Sequence, residues 1–241
     1  MNSKPTQSKS IRAQLLTAMQ VGEYAHCDRL PRESVLSEKL GISRTQLRDI
    51  LASLDREGFI TRRHGVGTII NRHVLGAQAR MDIEVEFMDM IRQSGHTPGV
   101  AFVRAADGTA DEKAAGQLGI PVGTPVLRIS RLCTADGRPA IYCEDLVEKA
   151  KLQRPYTEAE LRQPIFDFLQ NVCGLSSYLD LTDLRPVVAN ADLAAVFQVP
   201  EGMPLLSMDE VDYDIDGAPV FVSREYFADG IFRHTVLRKK L

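Results

Sequence analysis

The feature that most constrains this chain is an internal repeat. The segment from Asp111 to Pro139 returns 79 residues later, and 80 after one insertion, as the segment from Asn190 to Pro219. Each copy carries a short helical run, then a Pro-x-Gly-x-Pro turn (Pro121-Val122-Gly123-Thr124-Pro125 and Pro200-Glu201-Gly202-Met203-Pro204). A strand follows, then an Asp-Gly hairpin tip (Asp136-Gly137 and Asp216-Gly217) and a second strand. Asp-Gly between alternating apolar runs is a strong hairpin signal, because both turn residues tolerate positive φ. A lone hairpin leaves one apolar face uncovered, so the two copies are expected to share a sheet and a core. A cleft between equivalent halves is then a natural place for a small-molecule pocket. The alternative is a cleft filled by side chains.

The N-terminal third has a different pattern. Pro31 suits the start of a helix. Val35, Leu36 and Leu40 follow at helical spacing, and Gly41 closes the run. After a turn at Gly41-Ile42, Ser43 and Gln46 have capping-box spacing and open a second helix. Its buried side is Leu47, Ile50, Leu51 and Leu54, and Gly58 stops it. Arg44 and Arg48 stand one turn apart near its start, with Thr45 beside them. Two β-rich runs around His64-Gly65-Val66-Gly67 then make a basic hairpin containing Arg62 and Arg63. The combination reads as a winged helix-turn-helix, whose second helix enters the major groove. Residues expected at DNA are Arg32, Ser43, Arg44, Thr45, Arg48, Arg62, Arg63, His64 and Gly65.

Charge divides the chain in the same place. Residues 1–75 hold twelve Lys and Arg against seven Asp and Glu, a net of +5, whereas the remainder nets −8. A basic N-terminal part fits a polyanionic partner, and the acidic part would be repelled by phosphates. Cys27, Cys133, Cys143 and Cys173 form no C-x-x-C pair, and the five histidines show no ligand spacing, so no metal or cofactor is expected. No run approaches the eighteen or so apolar residues of a membrane span, and the first thirty residues carry no apolar leader core. A cytoplasmic protein with reduced thiols is the reading, its first eight or nine residues unstructured.

Leu30-Pro31-Arg32-Glu33, Gly41-Ile42-Ser43-Arg44-Thr45, Leu47-Arg48, Glu57-Gly58 and His64-Gly65-Val66-Gly67-Thr68 resemble the DNA-binding domain of GntR-type bacterial transcription regulators. Ser34 departs from that pattern, which usually carries Arg there; whether Arg32 takes over its DNA contact is left open. Gly95-His96-Thr97-Pro98, Arg131, Glu144, Ile165-Phe166, Gly174-Leu175 and Tyr213 resemble the UTRA effector domain of the HutC subfamily. The resemblance implies an α+β chain: a winged helix-turn-helix at 9–72, a linker at 73–82, and at 83–241 a chorismate-lyase-like domain with an antiparallel sheet that binds an effector and dimerises. It further implies a homodimeric repressor on a palindromic operator.

In such domains Arg-x-Arg on the first long strand often holds a phosphate. Here the run is Arg131-Leu132-Cys133, which weakens the phosphate case. The polar candidates for the effector are Thr97, Arg131, Glu144, Arg224, Glu225 and Tyr226, a set of mixed sign suited to a zwitterion or a hydroxylated carboxylate. In the repeat, Arg131 aligns with Glu210 and Glu144 with Arg224. His96 and His234 read as structural. Two rivals stay open: an enzyme on the lyase-like fold, against which no nucleophile-base constellation can be read, and a constitutive DNA binder without an effector. A capping box at Thr157 and Glu160 is expected to open a helical region that Pro164 divides, and Val85, Met88 and Ile91 to lie on a helix spanning 81–94.

Overall fold

The computed structural model describes residues 4–77 and 79–239, with side chains from Ser10 onward. The chain divides into two compact units, Met1–Glu84 with His234–Leu241, and Val85–Arg233.

In the first unit, α1 (Lys4–Gln20), α2 (Glu33–Leu40) and α3 (Arg44–Arg56) precede the hairpin of β1 (Ile60–Arg63) and β2 (Gly67–Ile70). Ile11, Leu15 and Met19 repeat every four residues on α1 and bury against Leu36, Leu47, Leu51, Leu54 and Ile60. Each leucine so buried contributes about 1.5–3 kcal/mol over an exposed one. Ser43 caps α3, its hydroxyl accepting from Gln46 N at 3.1 Å, and Gly41 closes α2 in the left-handed region at φ 65°. Val35, expected inward, is exposed, and Ser37 is buried instead. Helix α1 runs back to Lys4, through residues expected to be unstructured; residues 1–3 of that stretch lie outside the described residues.

The expected linker is partly structured. Residues Arg72–Leu75 form α4, burying Val74 and Leu75, because Arg72 reaches back to the carbonyls of Tyr24 and Cys27. The last residues, expected in the second domain, belong to the first unit. Thr235 lies parallel to Arg80, and Leu237 N donates to Asp82 Oδ1 at 3.2 Å. Lys239 Nζ donates to the carbonyls of Asp55 and Arg56 at 2.6 and 3.0 Å. These carbonyls lie at the end of α3, where a cation is favoured. Short-range pattern cannot show a tail that returns across more than 150 residues.

The second unit is one antiparallel sheet of order β3-β4-β5-β8-β7-β6. Its strands are β3 (Pro98–Thr109), β4 (Pro125–Ala135), β5 (Arg138–Glu148), β6 (Leu179–Val188), β7 (Pro204–Tyr213) and β8 (Pro219–Ala228). The repeat sets this order: each half is a strand, a helix and a hairpin, and the halves meet where β5 pairs with β8. The correspondence reaches single hydrogen bonds. Asp111 caps α6 (Glu112–Leu118) by accepting from Ala114 N, and Asn190 caps α9 (Ala191–Phe197) by accepting from Leu193 N. Gly123 N and Gly202 N donate to Ala110 O and Ala189 O, both at 2.8 Å. At the first hairpin tip Asp136 and Gly137 take φ of 53° and 80°, as an Asp-Gly turn requires.

Helices cover both faces. Helices α6 and α9 lie on one, Leu118 against Val211 and Val222, Phe197 near Tyr142 and Tyr226. On the other, α7 (Glu158–Leu161), α8 (Ile165–Phe168) and a π-helical turn at Leu169–Cys173 bury Phe168, Leu169 and Val172 over Leu127, Ile129, Val147 and Phe221. Pro164 divides α7 from α8, and Thr157 with Glu160 completes the expected capping box. Helix α5 (Phe87–Gln93) is shorter than its expected span; it starts where Glu86 accepts from Met88 N, and Phe87 meets Phe227 edge-on.

Candidate nucleic-acid interface and effector site

The N-terminal turn of α3 is exposed at Ser43, Arg44, Thr45 and Arg48, while Leu47, Ile50 and Leu51 face the core. Arg32 is exposed at the cap position of α2, and Arg62, Arg63, His64 and Gly65 are exposed on the wing, with Gly65 at φ 74° in its tight tip. A groove of about 580 Å³ runs between the start of α2 and the wing, lined by Arg29, Arg32, Arg62, Arg63 and His64 around one acid, Glu33. Glu33 accepts from Arg48 Nε at 2.8 Å and from Arg62 Nη2 at 3.0 Å, so one carboxylate ties the second helix to the wing. The Arg48 hydrogen bond, helped by Arg62, holds the Glu33 carboxyl below the ordinary range. The sequence pattern gives Glu33 and Arg29 no role at DNA; an acid among clustered arginines is the signal it carries. The end of α3 is held from outside the motif, by Lys239 and by Arg80, whose Nη1 donates to Glu57 O at 2.6 Å.

The effector candidates do not form one site. Side chains alternate along a strand, and residues paired across strands share a face. Arg131, Cys143 and Glu225 are paired in one row, so they share the face under α5, α7 and α8. Glu144 pairs with Arg224, one residue out of step, so both, with Tyr226, lie on the face under α6 and α9. Thr97 is exposed at the start of β3, its N–H donating to Asp136 Oδ1. Sequence alone groups residues of opposite faces because it does not fix the strands' registers.

The two faces differ in satisfaction. Under α6 and α9, Asp209 accepts from Arg224 Nε at 2.6 Å and Lys113 Nζ at 2.7 Å, and Arg185 stands 3.3 Å away. Glu144 accepts from Tyr142, which stacks on Tyr226 at 6.2 Å. The cavity beside them is about 70 Å³, room for water rather than for a metabolite. Under α5, α7 and α8, Arg131 is 3 % exposed; its Nη2 donates to Leu161 O at 2.9 Å, but its buried Nε meets no acceptor. Asp212 is 1 % exposed; Oδ1 accepts from Ser177 at 2.6 Å, and buried Oδ2 has no donor. Burial, with the charges of Asp180 and Asp145, pushes Asp212 up to about 7. Asp145 is also raised by burial, against the pull of Arg131 and a hydrogen bond from Ser223. Buried polar groups left without a partner in the fold call for one from outside it, a water or a ligand. The sequence pattern does not single out Asp145, Ser223 or Asp212, although Asp145 aligns with Glu225 in the repeat.

Residues 7–70 match the model for bacterial regulatory proteins of the gntR family, and residues 93–233, more than half the chain, match the UTRA domain. The chain belongs to this family. It is a ligand-responsive, DNA-binding transcription regulator and not an enzyme. An uncharacterized HTH-type transcriptional regulator of Rhizobium meliloti is 26% identical over 222 residues, covering 91% of this chain and 90% of its own. The HTH-type transcriptional repressor NagR of Bacillus subtilis is 25% identical over 203 residues, 84% and 82% of the two chains. Among solved structures, the possible regulator YydK of Bacillus subtilis aligns over 97% of this chain and 99% of its own, with TM-score 0.77 at 17% identity. That likeness concerns the fold of this regulator. No helix among its described residues is long and apolar enough to cross a membrane. Buried Cys133, pushed up to about 12, and Cys143, raised well above the ordinary thiol value by burial, are neutral thiols at ordinary pH.

Proposed function

We propose that this regulator is a cytoplasmic homodimeric repressor that holds a palindromic operator and releases it when a small molecule enters the sheet face under α5, α7 and α8. The exposed start of α3 carries the reading. Arg44 and Arg48 reach base edges there, with Ser43, Thr45 and Arg32 beside them, while Arg62, Arg63, His64 and Gly65 follow the phosphates. Two copies related by a two-fold axis read half-sites about one helical turn apart. The small molecule favours the dimer geometry whose spacing no longer fits, by no more than its differential affinity for the two states. The similarity to the repressor NagR supports the sign of regulation.

The test is an operator selected from random DNA by the protein itself. Arg44→Ala and Arg48→Ala each remove about 1–3 kcal/mol of preference for that operator over scrambled DNA. Arg62→Ala with Arg63→Ala weakens binding to every sequence and makes the salt slope shallower by roughly one unit per lost phosphate contact. Full operator preference in both recognition-helix variants would refute the assignment.

A further inference from the structure

One carboxylate stands in the groove between α2 and the wing, and it is shared by the two elements that meet nucleic acid. Glu33 opens α2. Its Oε2 accepts from Arg48 Nε on α3, and its Oε1 accepts from Arg62 Nη2 on the wing. Two ordinary roles for such an acid do not explain this arrangement. An anion at a helix N-terminus is favoured by the backbone N–H groups there, whatever lies beyond it. Exposed ion pairs add little to stability, and the wing does not depend on this one. Leu30 N donates to Thr68 O and Ile70 N to Asp28 O, both at 2.9 Å. Arg29 Nη1 donates to Val66 O at 3.1 Å. The segment that leads into α2 therefore already fixes the hairpin.

What the carboxylate does set is the direction of Arg48. That side chain is long and 63% exposed, and ordering it on a base costs rotamer freedom. A guanidinium carries five N–H donors in one plane. Glu33 takes the one on Nε, and the two terminal nitrogens are left as the fork that fits O6 and N7 of guanine. The same carboxylate repels phosphate. If Arg48 or Arg62 turned to the DNA backbone, it would leave Glu33 or bring a phosphate against it. Arg44, one turn earlier on α3, has no ion pair among the described residues, so it lies outside this control.

We propose that Glu33 is a positioning residue that determines specificity: it presents the terminal fork of Arg48 to a guanine and disfavours placing Arg48 and Arg62 on phosphates. This rests on the reading that Arg48 reaches base edges. Glu33 thereby lowers affinity for DNA in general and raises the preference for one sequence.

The experiment uses full-length protein and the operator that the wild-type protein selects, with its base pairs changed one at a time. Glu33→Gln keeps the size of the side chain and one hydrogen-bond acceptor but removes the charge. It lowers preference for the operator over scrambled DNA by about tenfold, within the range of one bidentate base contact. The loss falls at the base pair that Arg48→Ala ceases to read, and the base pair read by Arg44 keeps its preference. Binding to scrambled DNA becomes tighter, and its salt slope steeper by about one unit for each arginine that turns to a phosphate. In an Arg48→Ala background, Glu33→Gln removes no further preference. The Tm of Glu33→Gln stays close to that of the wild type.

Full operator preference in Glu33→Gln, with preference lost in Arg48→Ala, would overturn the role of Glu33 and leave the reading of Arg48 standing. A loss at a base pair that Arg48 does not read would make Glu33 itself a reader of a cytosine amino group and overturn the positioning role. Weaker binding to every sequence together with a lowered Tm would reduce Glu33 to a support of the fold. Full preference in Arg48→Ala would refute the reading of Arg48, and the proposal with it.

Discussion

The two faces of the sensor sheet are built from the same strands by alternate residues, and they solve the burial of charge in opposite ways. Under α6 and α9, Asp209 has Arg224, Lys113 and Arg185 around it. Under α5, α7 and α8, Asp212, three residues along the same strand, has one serine donating to Oδ1 and no protein donor at Oδ2. A half-buried charge network that is fully paired holds the fold together. A buried group left short of a partner costs stability and is kept where something outside the chain completes it. In the proposed function, one face is structural and the other recognises the effector.

The largest expected effect separates the faces by one arginine each. Arg131→Met abolishes release of the operator by whichever small molecule releases the wild-type protein. Arg224→Met leaves that release intact and lowers stability by about 1 kcal/mol or less, because Arg224 is 42% exposed and Asp209 keeps two other cations. Operator release followed by anisotropy, with urea unfolding of both variants, checks this. Equal loss of release in both variants would erase the distinction.

The two aspartates titrate with opposite signs. Asp212 binds its proton more tightly folded than unfolded, so the stability it contributes is present below its ordinary value of 3.8 and lost as pH rises through about 7. Asp212→Asn therefore raises Tm relative to wild type at pH 8, with the gain vanishing toward pH 4. For Asp209, burial works against ionisation but Lys113 and Arg224 outweigh it, so its folded value lies below 3.8. Its contribution is present above 3.8 and lost as pH falls through that lowered value. Asp209→Asn lowers Tm at pH 7, and the deficit shrinks below pH 4. Matched pH–Tm curves for the three proteins give both signs.

The smallest effect tests the equivalence of the halves. Asp111→Ala and Asn190→Ala each remove a helix cap worth about 1 kcal/mol, with similar losses in the two. Chemical denaturation measures it. A loss confined to one half would mean that the repeat is no longer energetically symmetric.

Much of this architecture was legible where a local rule has one outcome. Ser43, Gly41 and Gly65 mark caps and turns, and the 79-residue offset locates two hairpins in one sheet. The proposed effector face is half legible: Arg131 and Glu225 lie on it, while Glu144, Arg224 and Tyr226 lie on the other, because charge pattern says nothing about register and a shift of one residue exchanges faces. The repeat did carry the clue, since Arg131 aligns with Glu210 and Asp145 with Glu225, four residues that share one face. The return of Lys239 to the end of α3 was invisible for another reason: it is a contact between residues 183 or more positions apart. Composition at neither end announces it.

The central claim is that the face under α5, α7 and α8 holds the molecule that governs DNA binding. A crystal structure of the full-length protein with a small molecule that releases its operator tests this directly. The account predicts density on that face, in contact with Arg131 or with Asp212. Density over Glu144 and Arg224 on the opposite face, with the Arg131 side chain unaltered, would contradict it.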